Sequence, residues 1–131
     1  KYMKIVSISP NLMVKNVNKS IEFYCNILGF SLVQTVPESG ELNWGMVEKD
    51  GLFVMFQKEE SIKQEYPELN SQNSGGALTF YIKISDIQEF YNKICSHMDV
   101  SHEMHKTFYG ADEFAIKDPD GFILVFSESS E

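Results

Sequence analysis

Asp50-Gly51-Leu52-Phe53-Val54-Met55-Phe56 returns 70 positions later as Asp120-Gly121-Phe122-Ile123-Leu124-Val125-Phe126. Self-similarity at a fixed spacing marks a duplicated structural unit. Each copy pairs a turn dipeptide with an apolar run of strand length. Upstream, Leu12–Val14 precedes Phe23-Tyr24, and Phe80–Ile82 precedes Phe90-Tyr91, at spacings of 68 and 67. A gap of a few residues reconciles these spacings with 70. Each half therefore reads as strand, helix, then further strands ending in a tight turn and a last apolar strand.

The helices carry clear signals. Ile87, Phe90, Tyr91 and Ile94 fall at i, i+3, i+4 and i+7, one face of a 3.6-residue period. Ser85-Asp86-Ile87-Gln88 has capping-box spacing, which predicts Ser85 as that helix's N-cap. In the first half Ile21, Tyr24 and Leu28 make the matching stripe, with Asn16 or Asn18 to cap the start and Gly29 to stop it. Core packing accounts for these aromatics. Strands are predicted at 5–14, 31–36, 43–49, 53–57, 77–84, 114–117 and 122–127, with a weaker one at 100–106. Asp50-Gly51 and Asp118-Pro119-Asp120-Gly121 suit hairpin turns, Gly being free to take positive φ.

The fold class that follows is α+β: two tandem βαβββ modules, with helices on one face of curved sheets. The predicted single domain covers 1–131, with module one at about 4–58, a linker at about 59–75 and module two at about 76–128. The linker lacks apolar periodicity and reads as a solvated connector or a functional loop, with one helical turn near 61–65.

Side chains alternate across a strand, so each strand has two faces to assign. Leu12 and Val14, Val54 and Phe56, Leu78, Phe80 and Ile82, and Phe122, Leu124 and Phe126 form a bulky apolar set that belongs under the helices. The opposite faces mix sizes and polarity: Asn11 and Met13, Met55 and Gln57, Ala77, Thr79 and Tyr81, Val125 and Ser127. Such a mixture suits a ligand site, where apolar area supplies affinity and a few polar groups orient the ligand. A plain solvent face would carry more Lys and Glu. Trp44, Met46, Phe108 and Tyr109 add aromatic and sulfur contacts, although Trp44 equally suits a core or dimer contact.

The 131 residues include 11 basic and 19 acidic ones, for a net charge of −8. Phosphate backbones and anionic membranes repel such a chain, which argues against nucleic acid and lipid partners. The charge serves solubility and also suits a cationic small molecule. Cys25 and Cys95 sit in helical stretches, where thiols are small core hydrophobes more often than nucleophiles or disulfide partners. No signal pattern opens the chain and no apolar run approaches a membrane span, so cytoplasm is the expected compartment. No phosphate loop or nucleophile elbow is present. Glu41, Glu48 and Glu113 are the acid–base candidates, unless they simply lie on a solvated edge. His102 and His105, three apart, would point to opposite faces of a strand and make a poor metal pair. His97 suits a helix C-terminus.

The stretch Asn11–Tyr24, followed by Leu28-Gly29-Phe30, Tyr109-Gly110 and Glu113–Gly121, resembles the vicinal oxygen chelate superfamily: glyoxalase, extradiol dioxygenases, fosfomycin-resistance enzymes and bleomycin-resistance proteins. The likeness spans nearly the whole chain and rests on order, spacing and duplication rather than one motif. It implies that the two modules curl into an open cup with helices outside. It also implies four metal-ligand slots, one on the first and one on the last strand of each module. By the repeat these slots hold Ser9, Met55, Ala77 and Val125. None is the His, Gln or Glu that metal-dependent relatives use, and a slip of one residue supplies none either.

The resemblance therefore points to the metal-free, bleomycin-resistance-like members, which bind a small organic molecule and share this acidity. The implied protein sequesters a small, cationic or antibiotic-like ligand, needs no cofactor and forms a homodimer. Its ligand-binding residues are Asn11, Met13, Trp44, Met46, Met55, Gln57, Thr79, Tyr81, Tyr109 and Val125. The alternatives are a lyase, isomerase or dioxygenase-related enzyme with unusual site residues, or an interaction protein whose cup a partner closes.

Overall fold

The computed structural model describes residues 3–129; the outermost residues of the 1–131 span lie outside it. The chain divides between Ser74 and Gly75 into two compact units.

In the first unit β1 (Asn11–Val14) leads into α1 (Val17–Asn26), then β2 (Ser31–Val36), β3 (Trp44–Lys49) and β4 (Leu52–Lys58). The sheet order is β1-β4-β3-β2, with β1 parallel to β4 and the remaining pairs antiparallel. The second unit repeats the plan. β5 (Thr79–Lys83) leads into α3 (Ile87–Ile94), β6 (Val100–Lys106), β7 (Ala111–Lys117) and β8 (Ile123–Ser129), in the order β5-β8-β7-β6. Two four-stranded sheets, each with a helix crossing from its first strand, make the predicted α+β arrangement of two βαβββ modules.

Register fixes how the copies correspond. Asn11 pairs with Met55 in the first unit and Tyr81 with Val125 in the second, so both strands repeat at a spacing of 70. The helices agree, starting at Val17 and Ile87. This corrects the spacing of 68 read from the strands and that of 67 read from the aromatic pairs. Val17, Ser20, Ile21 and Tyr24 are buried in α1, and Ile87, Phe90, Tyr91 and Ile94 stand at the same places in α3. Leu28 lies beyond the end of α1 and is not part of its stripe.

The cores form as the alternation requires, except that Leu78, expected under the helices, lies before β5 and is exposed. In the first unit Leu12, Val14, Val47 and Phe56 are buried beneath α1, with the Tyr24 and Phe56 rings 4.9 Å apart. In the second, Phe114, Ile116, Leu124 and Phe126 lie beneath α3, where Phe90 meets Phe126 at 5.0 Å and Tyr91 meets Phe114 at 4.9 Å. Each such side chain stabilises its unit by about 1.5–3 kcal/mol. Gly45 allows α1 to sit close to β3: a Cβ there would lie 2.5 Å from Ile21 Cδ1.

Helix ends differ in how they are satisfied. Asn16 caps α1, its side chain accepting from Lys19 N at 3.0 Å. At α3 the predicted Ser85 cap does not form. Asp86 takes the N-cap place in the left-handed region, at φ 57, and makes no side-chain cap. The Glu128 carboxylate of β8 replaces it, accepting from Asp86 N at 3.1 Å and Ile87 N at 2.9 Å. A carboxylate there also suits the helix dipole.

Three other expectations change. The first strand, predicted over 5–14, pairs only from Asn11, because Pro10 has no N–H to donate. Its carbonyl still accepts from Met55 N at 2.9 Å, while Ile5 and Ile8 remain exposed. The predicted linker is folded onto the first unit as α2 (Glu59–Glu65) and a single 3₁₀ turn at Pro67–Leu69. Ile62 is buried there, and Glu59 Oε2 accepts from Ser74 N and Oγ. Finally, β7 begins at Ala111 rather than Phe114, which brings Asp112 and Glu113 into the sheet. Among the described residues, no helix is long and apolar enough to cross a membrane.

Candidate functional site

The sheet face opposite α1 carries the first six candidate residues as two adjacent rows. Met13, Gln57 and Trp44 form one row across β1, β4 and β3; Asn11, Met55 and Met46 form the next. Gly45, Val47, Phe56, Leu12 and Val14 alternate with them and are buried on the helix side. Trp44 thus lies on the mixed face and not in the core under α1, which settles one part of its ambiguity.

One polar chain crosses this face. Asn11 Nδ2 donates to Gln57 Oε1 at 2.8 Å. Gln57, itself buried, donates from Nε2 to Ser61 Oγ at 2.9 Å and Glu65 Oε1 at 3.1 Å, both on α2. Those two acceptors fix the Gln57 amide so that its oxygen faces Asn11, which must then present its NH₂. Asn11 Oδ1 is left buried without a partner. A buried acceptor in that state is destabilising until a donor reaches it.

In the second unit the polar centre is Glu113, buried on β7 opposite Ser127 of β8. Three hydroxyls converge on one carboxylate oxygen, Oε2. Tyr81 reaches it from β5 at 2.8 Å and Ser127 at 2.9 Å. Tyr109 does so from the turn before β7 in a very short contact. Tyr81 also lies 2.9 Å from Ser127 Oγ. The turn Thr107–Gly110 brings Tyr109 over the strand, with Gly110 N on Thr107 O at 3.1 Å and Ala111 N on Thr107 Oγ1 at 3.0 Å. Burial works against the Glu113 charge. The hydrogen bonds from Tyr109, Tyr81 and Ser127, helped by His105, outweigh it and hold the carboxyl below the usual glutamate range. The Tyr109 phenol is pushed up, first by its hydrogen bond to Glu113.

Tyr81, Tyr109 and Val125 of the candidate set gather around this centre, with Thr79 exposed at the start of β5. Phe108 is fully exposed and touches the Tyr109 ring edge at 5.0 Å. Sequence reasoning left Ser127 out of the ligand set and gave Glu113 no partners. Extending the β7 alternation back through Phe114 would have placed Glu113 on the mixed face beside Ala115. The other acids have local roles. Glu41 is exposed and pairs with Lys58 at 2.7 Å, and Glu48 accepts from Gly51 N at 2.7 Å in the β3–β4 turn.

The metal slots implied by the family fare poorly. Ser9 precedes β1 and Ala77 is exposed before β5. The spacing of 70 makes Thr79, not Ala77, the counterpart of Ser9. Ser, Thr, Met and Val offer no donor set for a divalent cation. Among the described residues, no three His, Cys, Asp or Glu side chains gather closely enough to hold a metal. His105 pairs across β6–β7 with Glu113, and its Nδ1 is 2.9 Å from Glu103 O.

A family model described as Glyoxalase/Bleomycin resistance protein/Dioxygenase superfamily matches residues 4–126. No curated protein matches the sequence. Among solved structures, a glyoxalase/bleomycin resistance protein/dioxygenase from Nocardioides superposes with a TM-score of 0.78 at 18% identity, covering 99% of this chain and 87% of that one. TioX from Micromonospora sp. ML1 gives 0.71 at 16%, covering 92% and 96%. A lactoylglutathione lyase from Agrobacterium tumefaciens gives 0.69 at 16%, covering 95% of each. At these identities the likeness is one of fold.

Proposed function

This chain belongs to the glyoxalase/bleomycin resistance protein/dioxygenase superfamily, and on that premise we propose that it captures a small organic molecule without a metal ion. The observation that carries this reading is the chemistry of the mixed faces. Where metal-dependent relatives need His, Gln or Glu, this chain has Ser9, Met55, Thr79 and Val125. In their place it presents Trp44, three methionines and the unpartnered Asn11 carbonyl in one unit, and two half-exposed tyrosines in the other. Polarizable sulfur and aromatic surface with a few fixed polar atoms suits an organic ligand.

The test is a titration of the tag-free protein with glycopeptide and cationic antibiotics, read by the fluorescence of Trp44, alongside elemental analysis. Saturable quenching at metal contents far below one equivalent supports the reading. Zn, Ni or Fe at one equivalent per chain overturns it.

An enzymatic reading, a lyase or isomerase, has one observation in its favour: the ionised, buried Glu113 with two phenols on it. Turnover lost in a Glu113→Gln variant would decide for that reading. A cytoplasmic homodimer is part of the proposal. Leu32, Val33 and Val36 are exposed on edge strand β2, where pairing with a second copy would cover them. A monomeric mass in solution would remove that part.

A further inference from the structure

The geometry points to the Glu113–Tyr81–Tyr109 cluster as the anchor for an organic cation, an ammonium or guanidinium group carried on an apolar body. This assignment rests on the ligand-capturing function proposed above and names its chemistry and place.

Tyr81, Tyr109 and Ser127 each have one hydroxyl proton. Every one of them points inward, to Glu113 Oε2 or, for Tyr81, to Oε2 and Ser127 Oγ together. The phenol oxygens are thereby left as acceptors. A ligand meeting this surface finds lone pairs and ring faces, and no hydroxyl proton to receive. Such a surface rejects carboxylates and phosphates and welcomes N–H donors.

Charge adds to this. Glu113 is only 7% exposed, and among the described residues it makes no ion pair. The neighbouring Lys106 is committed to Asp112 at 3.0 Å. Among the described residues, His105 is the basic side chain whose charge favours the Glu113 carboxylate. A buried carboxylate without a full counter-charge projects its field through the hydroxyls that clamp it. The tyrosines it polarises are 52% and 55% exposed, and Phe108 beside Tyr109 is wholly exposed. Aromatic faces over an anionic centre form the usual recognition surface for an organic cation.

The test uses three probes of one shape: phenethylamine, phenethyl alcohol and phenylacetate. Each is titrated into the isotope-labelled full chain and followed by amide NMR. The amine is expected to shift the amides around Tyr81, Glu113 and Ser127 at least about tenfold more tightly than the alcohol, the size of one charge-assisted hydrogen bond. Phenylacetate is expected to leave those amides unmoved. Glu113→Gln should remove the tenfold preference of the amine over the alcohol. Tyr109→Phe keeps the ring and removes the acceptor; it should weaken the amine more than the alcohol, and it serves if the Gln variant does not fold. Equal binding of amine and alcohol, or amine affinity that survives Glu113→Gln, overturns the assignment. Amine shifts confined to the face carrying Trp44 and Gln57 also overturn it, yet leave the ligand-capturing function standing. If saturating probe moves neither face, both fail.

Discussion

Trp44 and Glu113 hold the same place in the two sheets: Trp44 stands opposite Gln57, and Glu113 stands opposite Ser127. Gln57 and Ser127 repeat at the spacing of 70, whereas Trp44 and Glu113 are 69 apart, because the second hairpin holds one more residue between these paired positions than the first. One duplicated scaffold thus presents a large aromatic in one copy and a clamped anion in the other. The equivalents of Asn11 and Gln57 are Tyr81 and Ser127, again an amide pair set against a hydroxyl pair. Duplication preserved the backbone and the helix-side core, and the opposite faces diverged into different chemistry.

Metal removal should be without effect on the fold. A ligand that binds only the native state stabilises it in proportion to its occupancy, so a resident metal would appear as a shift in Tm on chelation. Thermal unfolding after exhaustive chelator dialysis should match that of untreated protein to within about one degree. A drop of several degrees, reversed by adding back Zn or Ni, would mean that donors outside the four family slots hold an ion.

Most of the fold was legible in the sequence because the helix-side faces are uniformly apolar and alternate strictly. Leu12 and Val14, or Leu124 and Phe126, can face only one way. The site was legible in the first unit for the same reason: Asn11, Met13, Met55 and Gln57 are what remains when the core residues are assigned. It was less legible in the second. Glu113 follows Gly110, Ala111 and Asp112, which carry no strand signal, and its partners Tyr81 and Ser127 lie 32 and 14 positions away. Hydrogen bonds across that separation leave no local pattern. The same holds for α3, where Ser85 and Gln88 have the spacing of a capping box but the actual cap arrives from Glu128, 41 positions beyond Ile87.

That difference can be measured. Glu128→Ala removes two charge-assisted acceptors from the first N–H groups of α3 and should cost about 1 kcal/mol in urea unfolding, as loss of an N-cap does. Ser85→Ala should change stability by less than about 0.5 kcal/mol, the range of a surface substitution. A larger loss at Ser85 than at Glu128 would restore the capping box and displace the carboxylate.

Gly45 should be sensitive through one neighbour. An Ala methyl there would press on Ile21 Cδ1 at 2.5 Å, in a site where Ile21 is already buried. Overpacking of this kind costs about 1–3 kcal/mol, and the low end applies because the clashing atom is the tip of a side chain. Ile21→Val removes that atom. The double variant should therefore recover most of the Gly45→Ala loss relative to Ile21→Val alone, a coupling visible in a double-mutant cycle. Strict additivity would mean that α1 retreats as a body from β3 and that the close approach is not set by Ile21.

The acid stability of the second unit should depend on Glu113. Its carboxyl lies below the usual glutamate range in the folded chain, because Tyr109, Tyr81 and Ser127 hydrogen-bond the charged form against the opposing effect of burial. A group with a depressed folded value binds its proton more readily when unfolded. Its contribution is therefore complete above about pH 4.3, the ordinary glutamate value, and falls away as pH drops through the folded value. Glu113→Gln keeps the shape and removes the titration. The stability difference between wild type and this variant should be flat from neutral pH down to the ordinary glutamate range. Below that range it should shrink steadily in wild type's disfavour. A difference that stays constant to the acid limit of folding would mean that the three hydroxyls bind the neutral acid as well as the anion, and the clamp would then carry no charge preference at all.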